Sequence, residues 1–392
     1  MGTIGWGVSL RKNPRRAGQE AAMTAVAQLG GDRCHSCLVF CTVGYPQQTV
    51  LDSVRAETGS VPMIGCSGSG VIAPGVADES NHALLVLAIA DHRIRLATSG
   101  YPRIGHAAEA ARAVGTELGR SLADDTRFAL LLPCGLNVVA DEFLACFEQE
   151  MGRPLPILGG TAGENWRWEK TYQYHDWKVY EGGVSAALVS GDFGVRTAVT
   201  HGCLPVGNEL EITKVDGNRL YEINNRPAMD VMAEYVGEDI WTDFGKVAVH
   251  FCLGQPVNPN VARNYDPYII RFIPKGYPED KSISLPVRMD RGDRVWMTRR
   301  DQQKMSESAQ RSVKELRQEL GESIPFLVLH FDCAGRGKVV LSESDKLGLI
   351  TSLQTGIGSD VPWAGFFSYG EFCPVGGRNM FHNYTAVIAA LF

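Results

Sequence analysis

Three stretches of this chain share one order of features: an apolar run, a cysteine close to a glycine, a helical pattern, then Pro-x-x-Gly with small or polar residues and more strand. The first holds Leu38-Val39-Phe40-Cys41-Thr42-Val43-Gly44, then Pro62-Met63-Ile64-Gly65-Cys66-Ser67-Gly68. The second holds Leu130 to Pro133 with Cys134-Gly135, then Pro156-Ile157-Leu158-Gly159-Gly160-Thr161. The third holds Phe326 to Cys333 with Ala334-Gly335, then Pro362-Trp363-Ala364-Gly365 and Phe366 to Gly370. A fourth run, Lys246 to Cys252 followed by Gly254, starts the same way but lacks the helix.

Around this repeat, apolar spacing predicts helices over 14–29, 46–57, 105–123, 138–151, 227–236, 301–320 and 343–355. Strands are expected at 36–44, 62–73, 82–90, 93–101 and 127–134. A run of strands then fills 156–162, 170–180, 183–190, 195–202 and 209–215, and 254–279 reads as an irregular excursion around one strand, Tyr268 to Ile273. Asn13 before Pro14, and Ser342 before Asp345, are helix starts. Recurring strand–helix–strand–strand units with long strand runs predict an α/β (α+β) fold of layered sheets flanked by helices.

Composition narrows the function. Lys plus Arg is 38 against 44 Asp plus Glu, a net charge of −6, so the chain lacks the basic footprint of nucleic-acid binding. The cluster Arg11-Lys12-Asn13-Pro14-Arg15-Arg16 reads as a loop and helix start. No apolar run reaches the ~20 residues of a membrane span, and Met1 to Gly7 lacks the pattern of a secretory signal. Ten cysteines in 392 residues, most inside apolar strands, fit reduced thiols in a cytoplasm. Cys34-His35-Ser36-Cys37 has no second pair to complete a zinc site and leads into a strand, unlike a redox motif. No metal site is expected, and no Walker loop, nucleophile elbow or His-Glu-x-x-His motif occurs.

Glycines at strand-to-helix turns expose backbone N–H groups and let a ligand approach, so the repeated turns, with Ser67 and Thr161 among them, are expected to line a pocket. Gly335-Arg336-Gly337 delivers a guanidinium to a strand end, where Arg336 either holds a ligand carboxylate or clamps a neighbouring acid. In Gly365 to Cys373, period two puts Tyr369, Glu371 and Cys373 on one face. A Glu in such company needs a partner: either a ligand ammonium, with Arg336 on the ligand carboxylate, or Arg336 itself. Beyond them, Phe381-His382-Asn383-Tyr384-Thr385 alternates, His382 and Tyr384 one way and Asn383 the other. Cys333, Cys134 and Cys41 at repeated strand ends leave an enzyme with a cysteine nucleophile as an alternative.

Together these segments resemble the FIST family: Pro62 to Ser67, Ile157 to Ala162 and His201-Gly202-Cys203-Leu204-Pro205-Val206-Gly207 resemble its N-terminal region. Asp216-Gly217-Asn218, Pro227-Ala228, Cys333 to Gly337, Gly365 to Glu371 and His382 to Thr385 resemble its C-terminal region. The resemblance implies an N-terminal domain over 1–224 and a C-terminal domain over 225–392. It further implies a sensory module of bacterial signalling that binds a small ligand such as an amino acid; the residues read above for its pocket are Arg336, Gly335, Gly337, Tyr369, Glu371, Asn383, Ser67 and Thr161. With both regions filling the chain, the signal is expected to pass to a separate partner such as a histidine kinase. Because some family members resemble haem-binding nitric-oxide sensors, non-covalent haem on His201, His250, His330 or His382 is the other reading.

Overall fold

The computed structural model describes residues 3–136, 138–237, 250–258 and 265–392, and within them the repeat becomes three copies of one eight-element unit. The first runs β1 (Ile4–Ser9), α1 (Pro14–Ala27), β2 (Ser36–Cys41), α2 (Gln47–Thr58), β3 (Met63–Ser67), β4 (Val71–Ala73), β5 (Val76–Asp78) and β6 (Leu84–Ile89). The second runs β7 (Arg95–Tyr101), α3 (Ala107–Gly119), β8 (Thr126–Pro133), α4 (Ala140–Met151), β9 (Ile157–Gly160), β10 (Tyr172–His175), β11 (Lys178–Glu181) and β12 (Val184–Ser190).

The third opens with β13 (Val195–Thr200) and is then interrupted by an insertion. The insertion holds β14 (Cys203–Asp216), β15 (Arg219–Ile223), β16 (Arg226–Pro227), α5 (Ala228–Val236), β17 (Phe251–Pro256), β18 (Tyr268–Arg271), β19 (Lys275–Tyr277), β20 (Ser282–Ser284) and β21 (Arg294–Arg300). The unit resumes with α6 (Gln302–Leu320), β22 (Leu327–Cys333), α7 (Glu343–Ile357), β23 (Trp363–Ser368), β24 (Glu371–Val375), β25 (Arg378–His382) and β26 (Ala386–Leu391).

Each unit builds one six-stranded sheet, and the three orders correspond strand for strand: β1-β6-β2-β3-β10-β11, β7-β12-β8-β9-β24-β25 and β13-β26-β22-β23-β4-β5. The last two strands of every sheet come from another unit. The β4–β5 hairpin of the first unit completes the third sheet, β10–β11 of the second completes the first, and β24–β25 of the third completes the second. This cyclic exchange gives the three units a pseudo-three-fold arrangement. Where the chain leaves one sheet for the next, the three crossings bond to each other: Gly163 N donates to Ser67 O at 3.0 Å, Ser69 N to Phe367 O at 2.9 Å and Tyr369 N to Thr161 O at 3.1 Å.

The glycine of each Pro-x-x-Gly has a shared physical cause, to which Gly159 adds a φ of 138° that side-chain-bearing residues rarely adopt. Gly65, Gly159 and Gly365 occupy the same register against the parallel partner strand, opposite Val39, Leu131 and His330. A Cβ there would stand 1.8, 2.0 and 1.8 Å from the partner's carbonyl oxygen, so no side chain fits.

The helices cover the outer sheet faces in pairs. Small residues on α1 (Ala17, Ala21, Ala25) and Val50, Leu51 and Val54 on α2 pack on the first sheet, α3 and α4 on the second, and α6 and α7 on the third. A cluster around Phe40, Phe128, Phe331 and Phe366 fills the space among the sheets. Asn13, Asp301 and Ser342 cap their helices by accepting from Arg16 N, Lys304 N and Asp345 N. The inserted sheet, ordered β18-β17-β21-β14-β15-β20-β19 with β16 beside β15, packs its apolar face continuously with the second unit's helical core.

All seven expected helices form within a few residues of their predicted ends. The expected strand at 62–73 is two strands in two different sheets, because Gly68 and Gly70 let the chain cross over. The stretch 170–180 is a hairpin turning at Asp176-Trp177, and 209–215 is part of the fourteen-residue β14. Strand β1 was not expected. The excursion at 254–279 carries the end of β17 and all of β18 and β19; its residues 259–264, and residues 246–249 of the fourth apolar run, lie outside the described residues. Residue 224 falls in the turn between β15 and β16, inside the insertion. Among the described residues, no helix is long and apolar enough to cross a membrane.

Candidate functional site

A cavity of about 440 Å³ lies where the strand ends of the second and third units meet the inserted sheet. The second unit supplies Cys134 and Gly135 at the end of β8, Thr161 after β9, and Trp166 and Trp168 from the following loop. The third supplies Cys333 at the end of β22 and Gly335 just after it, Tyr369 after β23, and Phe381, Asn383 and Tyr384 around the end of β25. The insertion closes the space with Asn218, Arg219, Phe272, Lys275, Tyr277 and the stretch 284–286.

The tryptophan loop is held by one buried carboxylate. Glu164 accepts from Arg167 N at 2.9 Å, Trp168 N at 2.8 Å and Tyr369 Oη at 2.6 Å. These bonds keep Trp166 and Trp168 in the left-handed region, at φ 62° and 59°. Trp168 consequently stacks on Tyr369 (5.1 Å, 29°) and nearly parallel to Phe272 of the insertion (5.8 Å, 11°). Asn383 ties the insertion down from the other side: its Oδ1 accepts from Phe272 N at 3.0 Å. The floor is formed by Gly335, whose missing side chain lets the Tyr384 ring approach, and whose carbonyl accepts from Arg300 Nη1.

Four of the eight residues anticipated for ligand binding therefore line one cavity: Gly335, Thr161, Tyr369 and Asn383. The other four stand outside its lining. Arg336 is buried, its Nε donating to Asp332 Oδ1 at 2.8 Å and its Nη1 to His201 O at 2.6 Å. Its partner is thus Asp332, not Glu371, which corrects the expected direct pair. Asp332 sits four residues earlier, on β22, and despite its burial the Arg336 charge holds its carboxyl below the ordinary range. Glu371 is buried and accepts from Ser368 Oγ at 2.6 Å and Thr385 Oγ1 at 2.7 Å, and burial raises its pKa to about 8. Gly337 packs against Glu79, and Ser67 Oγ donates to Gly163 O while accepting from Tyr172 N.

Strand alternation misassigned two side chains because the strands end. β23 stops at Ser368 and β24 begins at Glu371, so the period does not run from Tyr369 to Cys373. Past β25, Tyr384 has φ 56°, and Asn383 and Tyr384 both line the cavity while His382 does not. Sequence reasoning missed Trp166, Trp168, Phe272, Arg219, Lys275 and Tyr277; the Trp-x-Trp directly after a repeat turn was the available signal.

None of the four histidines considered for haem lines this cavity. His201 Nε2 meets Tyr268 O at 3.0 Å and its Nδ1 accepts from Cys203 N; His382 is held between Cys373 O and Tyr265 Oη. His330 lies between Trp363 Nε1 and Asp332, and His250 is exposed at the start of β17. Histidine-ligated haem does not fit the cavity. Cys134 and Cys333 do line it, and burial raises both thiols above their ordinary value; Cys41, buried at the end of β2, is raised likewise. Among the described residues, no group of three or more His, Cys, Asp or Glu is placed to hold a metal ion.

Residues 36–226 match the family model of the FIST N domain, and residues 228–374 that of the FIST C domain. Over its whole length the chain is similar to mycobacterial proteins. It is 26% identical to the uncharacterized protein Rv0628c of Mycobacterium tuberculosis over 393 residues, covering 98% of both chains. It is 25% identical to the uncharacterized protein Mb0898c of Mycobacterium bovis over 394 residues, again 98% of both. A solved structure of PurLQS from Thermotoga maritima overlaps with a TM-score of 0.22 and 10% identity across 99% of this chain and 72% of that one, too little to carry an argument.

Proposed function

The chain belongs to the FIST family, whose domains are associated with signal transduction and small-ligand sensing, and on that footing we propose that it is a sensory protein whose ligand occupies the cavity between the second and third units. The observation that carries this reading is the convergence itself. Gly335, Thr161, Tyr369 and Asn383, far apart in sequence, form one aromatic-walled space closed by an insertion that interrupts the third unit. The volume falls in the range of small-molecule sites.

The ligand is a small carboxylate, with amino acids in the same size class. The clamp of Arg336 and Glu371 is replaced by the cavity wall, since neither residue lines the cavity and each is held inside the protein, Arg336 on Asp332 and Glu371 on Ser368, with Arg336 Nη2 buried without a hydrogen-bond partner among the described residues. Because Phe272 on the insertion stacks on Trp168 and bonds to Asn383, a ligand between them would bias how the inserted sheet sits on the repeat core. A separate signalling protein such as a histidine kinase would read that bias.

A thermal-shift screen of amino acids and small carboxylates tests the proposal. A ligand should raise Tm by mass action, and Trp168→Ala should remove the shift. No hit at millimolar concentration would contradict it.

A further inference from the structure

The cavity wall carries a charge and shape signature of its own. Among the described residues that line it there is no Asp or Glu, whereas Arg219 and Lys275 stand on the inserted side. Arg219 is engaged: its Nη2 donates to Asp280 at 2.9 Å and its guanidinium lies 3.9 Å from the Tyr277 ring centroid. Lys275 is exposed, with its ammonium 4.6 Å from the same ring, and forms no ion pair among the described residues. At the second unit's side, Trp166 lines the cavity while its Nε1 is buried and has no hydrogen-bond partner among the described residues. An indole N–H is a donor only, and leaving it buried without an acceptor is unfavourable, so it calls for an acceptor atom. Trp168, Phe272 and Tyr369 supply flat apolar surface beside it.

We propose that the ligand is an aromatic carboxylate: a flat one-ring acid whose oxygen accepts from Trp166 Nε1 and whose negative charge is offset by Lys275. This rests on the cavity being the ligand site. Amines and zwitterionic amino acids are poorer ligands, because a desolvated ammonium would find no carboxylate on the wall.

The test is isothermal titration of the full chain with 4-hydroxyphenylacetate, tyramine and tyrosine, which share a ring and differ in charge. The acid should bind at least about ten-fold tighter than either amine-bearing compound. Lys275→Glu, an exposed change, should weaken the acid while leaving tyramine unchanged or tighter. Trp166→Phe keeps a ring and removes the donor, and should weaken the acid by about ten-fold. Tyramine or tyrosine binding as tightly as the acid, or an acid affinity indifferent to Lys275→Glu, overturns the anion assignment; loss of that binding in Trp168→Ala would then still place the ligand in the cavity. If none of the three binds at millimolar concentration, the aromatic-acid proposal fails, and only a different hit that Trp168→Ala abolishes would sustain the site.

Discussion

Tyr369 Oη donates to Glu164 Oε1 at 2.6 Å across 205 positions of sequence, joining the third unit's crossing strand to the loop that carries both cavity tryptophans. The phenol is held protonated by burial, so it acts as a fixed donor, and the same carboxylate receives the Arg167 and Trp168 amides. One acidic side chain therefore sets the shape of the wall.

Glu164→Ala removes three bonds at once and leaves the part-buried Arg167 and Trp168 amides without their acceptor. Stability should fall by about 2–3 kcal/mol, read by urea unfolding, and ligand affinity should fall with it because Trp168 loses its left-handed conformation. Unchanged stability would mean that the loop is held otherwise.

Gly159→Ala and Gly365→Ala drive a Cβ into a strand carbonyl that cannot move aside. Each should cost about 3 kcal/mol or more, or prevent folding. Ala at Gly30, where nothing lies within 4 Å of the added carbon, should cost only the strain of its φ of 64°. Urea midpoints of Gly365→Ala and Gly30→Ala rank the two causes, while Gly159→Ala, at φ 138°, combines both.

Arg336→Ala should act as a scaffold mutation. It leaves Asp332 buried without its guanidinium, a loss of about 3–5 kcal/mol. If the variant folds, ligand affinity should stay within a few-fold of the parent. Complete loss of binding at intact stability would return Arg336 to the ligand site.

Glu371 and His382 give the stability opposite pH slopes. Burial raises Glu371 from 4.5 to about 8, so the native state keeps a proton that the unfolded chain releases. Its contribution is whole below pH 4.5 and is lost as pH rises towards 8. Burial lowers His382 from 6.5 to about 3, so its contribution is whole above pH 6.5 and is lost as pH falls towards 3. Glu371→Gln should therefore gain on the parent between pH 5 and pH 8, measured by urea midpoints. A constant difference across that range would refute the assignment.

Much of the architecture was legible because it repeats. Cysteine-glycine strand ends and Pro-x-x-Gly recur since the same parallel pairing recurs three times, with the same carbonyl crowding Gly65, Gly159 and Gly365. The exchange of hairpins was not legible, because β3 and β4 read as one apolar run and pairing partners leave no local pattern. Half of the anticipated residues, those read from glycine turns and their neighbours, line the cavity. The charged half went astray because Arg336 has Asp332 four residues away, a local partner that outcompetes a distant one. Phe272 and Lys275 were hidden in an irregular stretch whose role depends on where the insertion lands.

Hydrogen–deuterium exchange on the full chain, with and without saturating 4-hydroxyphenylacetate, tests the ligand site most directly. The account predicts slowed exchange in 134–140, 161–168, 272–286 and 383–384, and little change at the corresponding crossing of the first unit, 67–70. Binding that protects other segments while leaving these four untouched would contradict it.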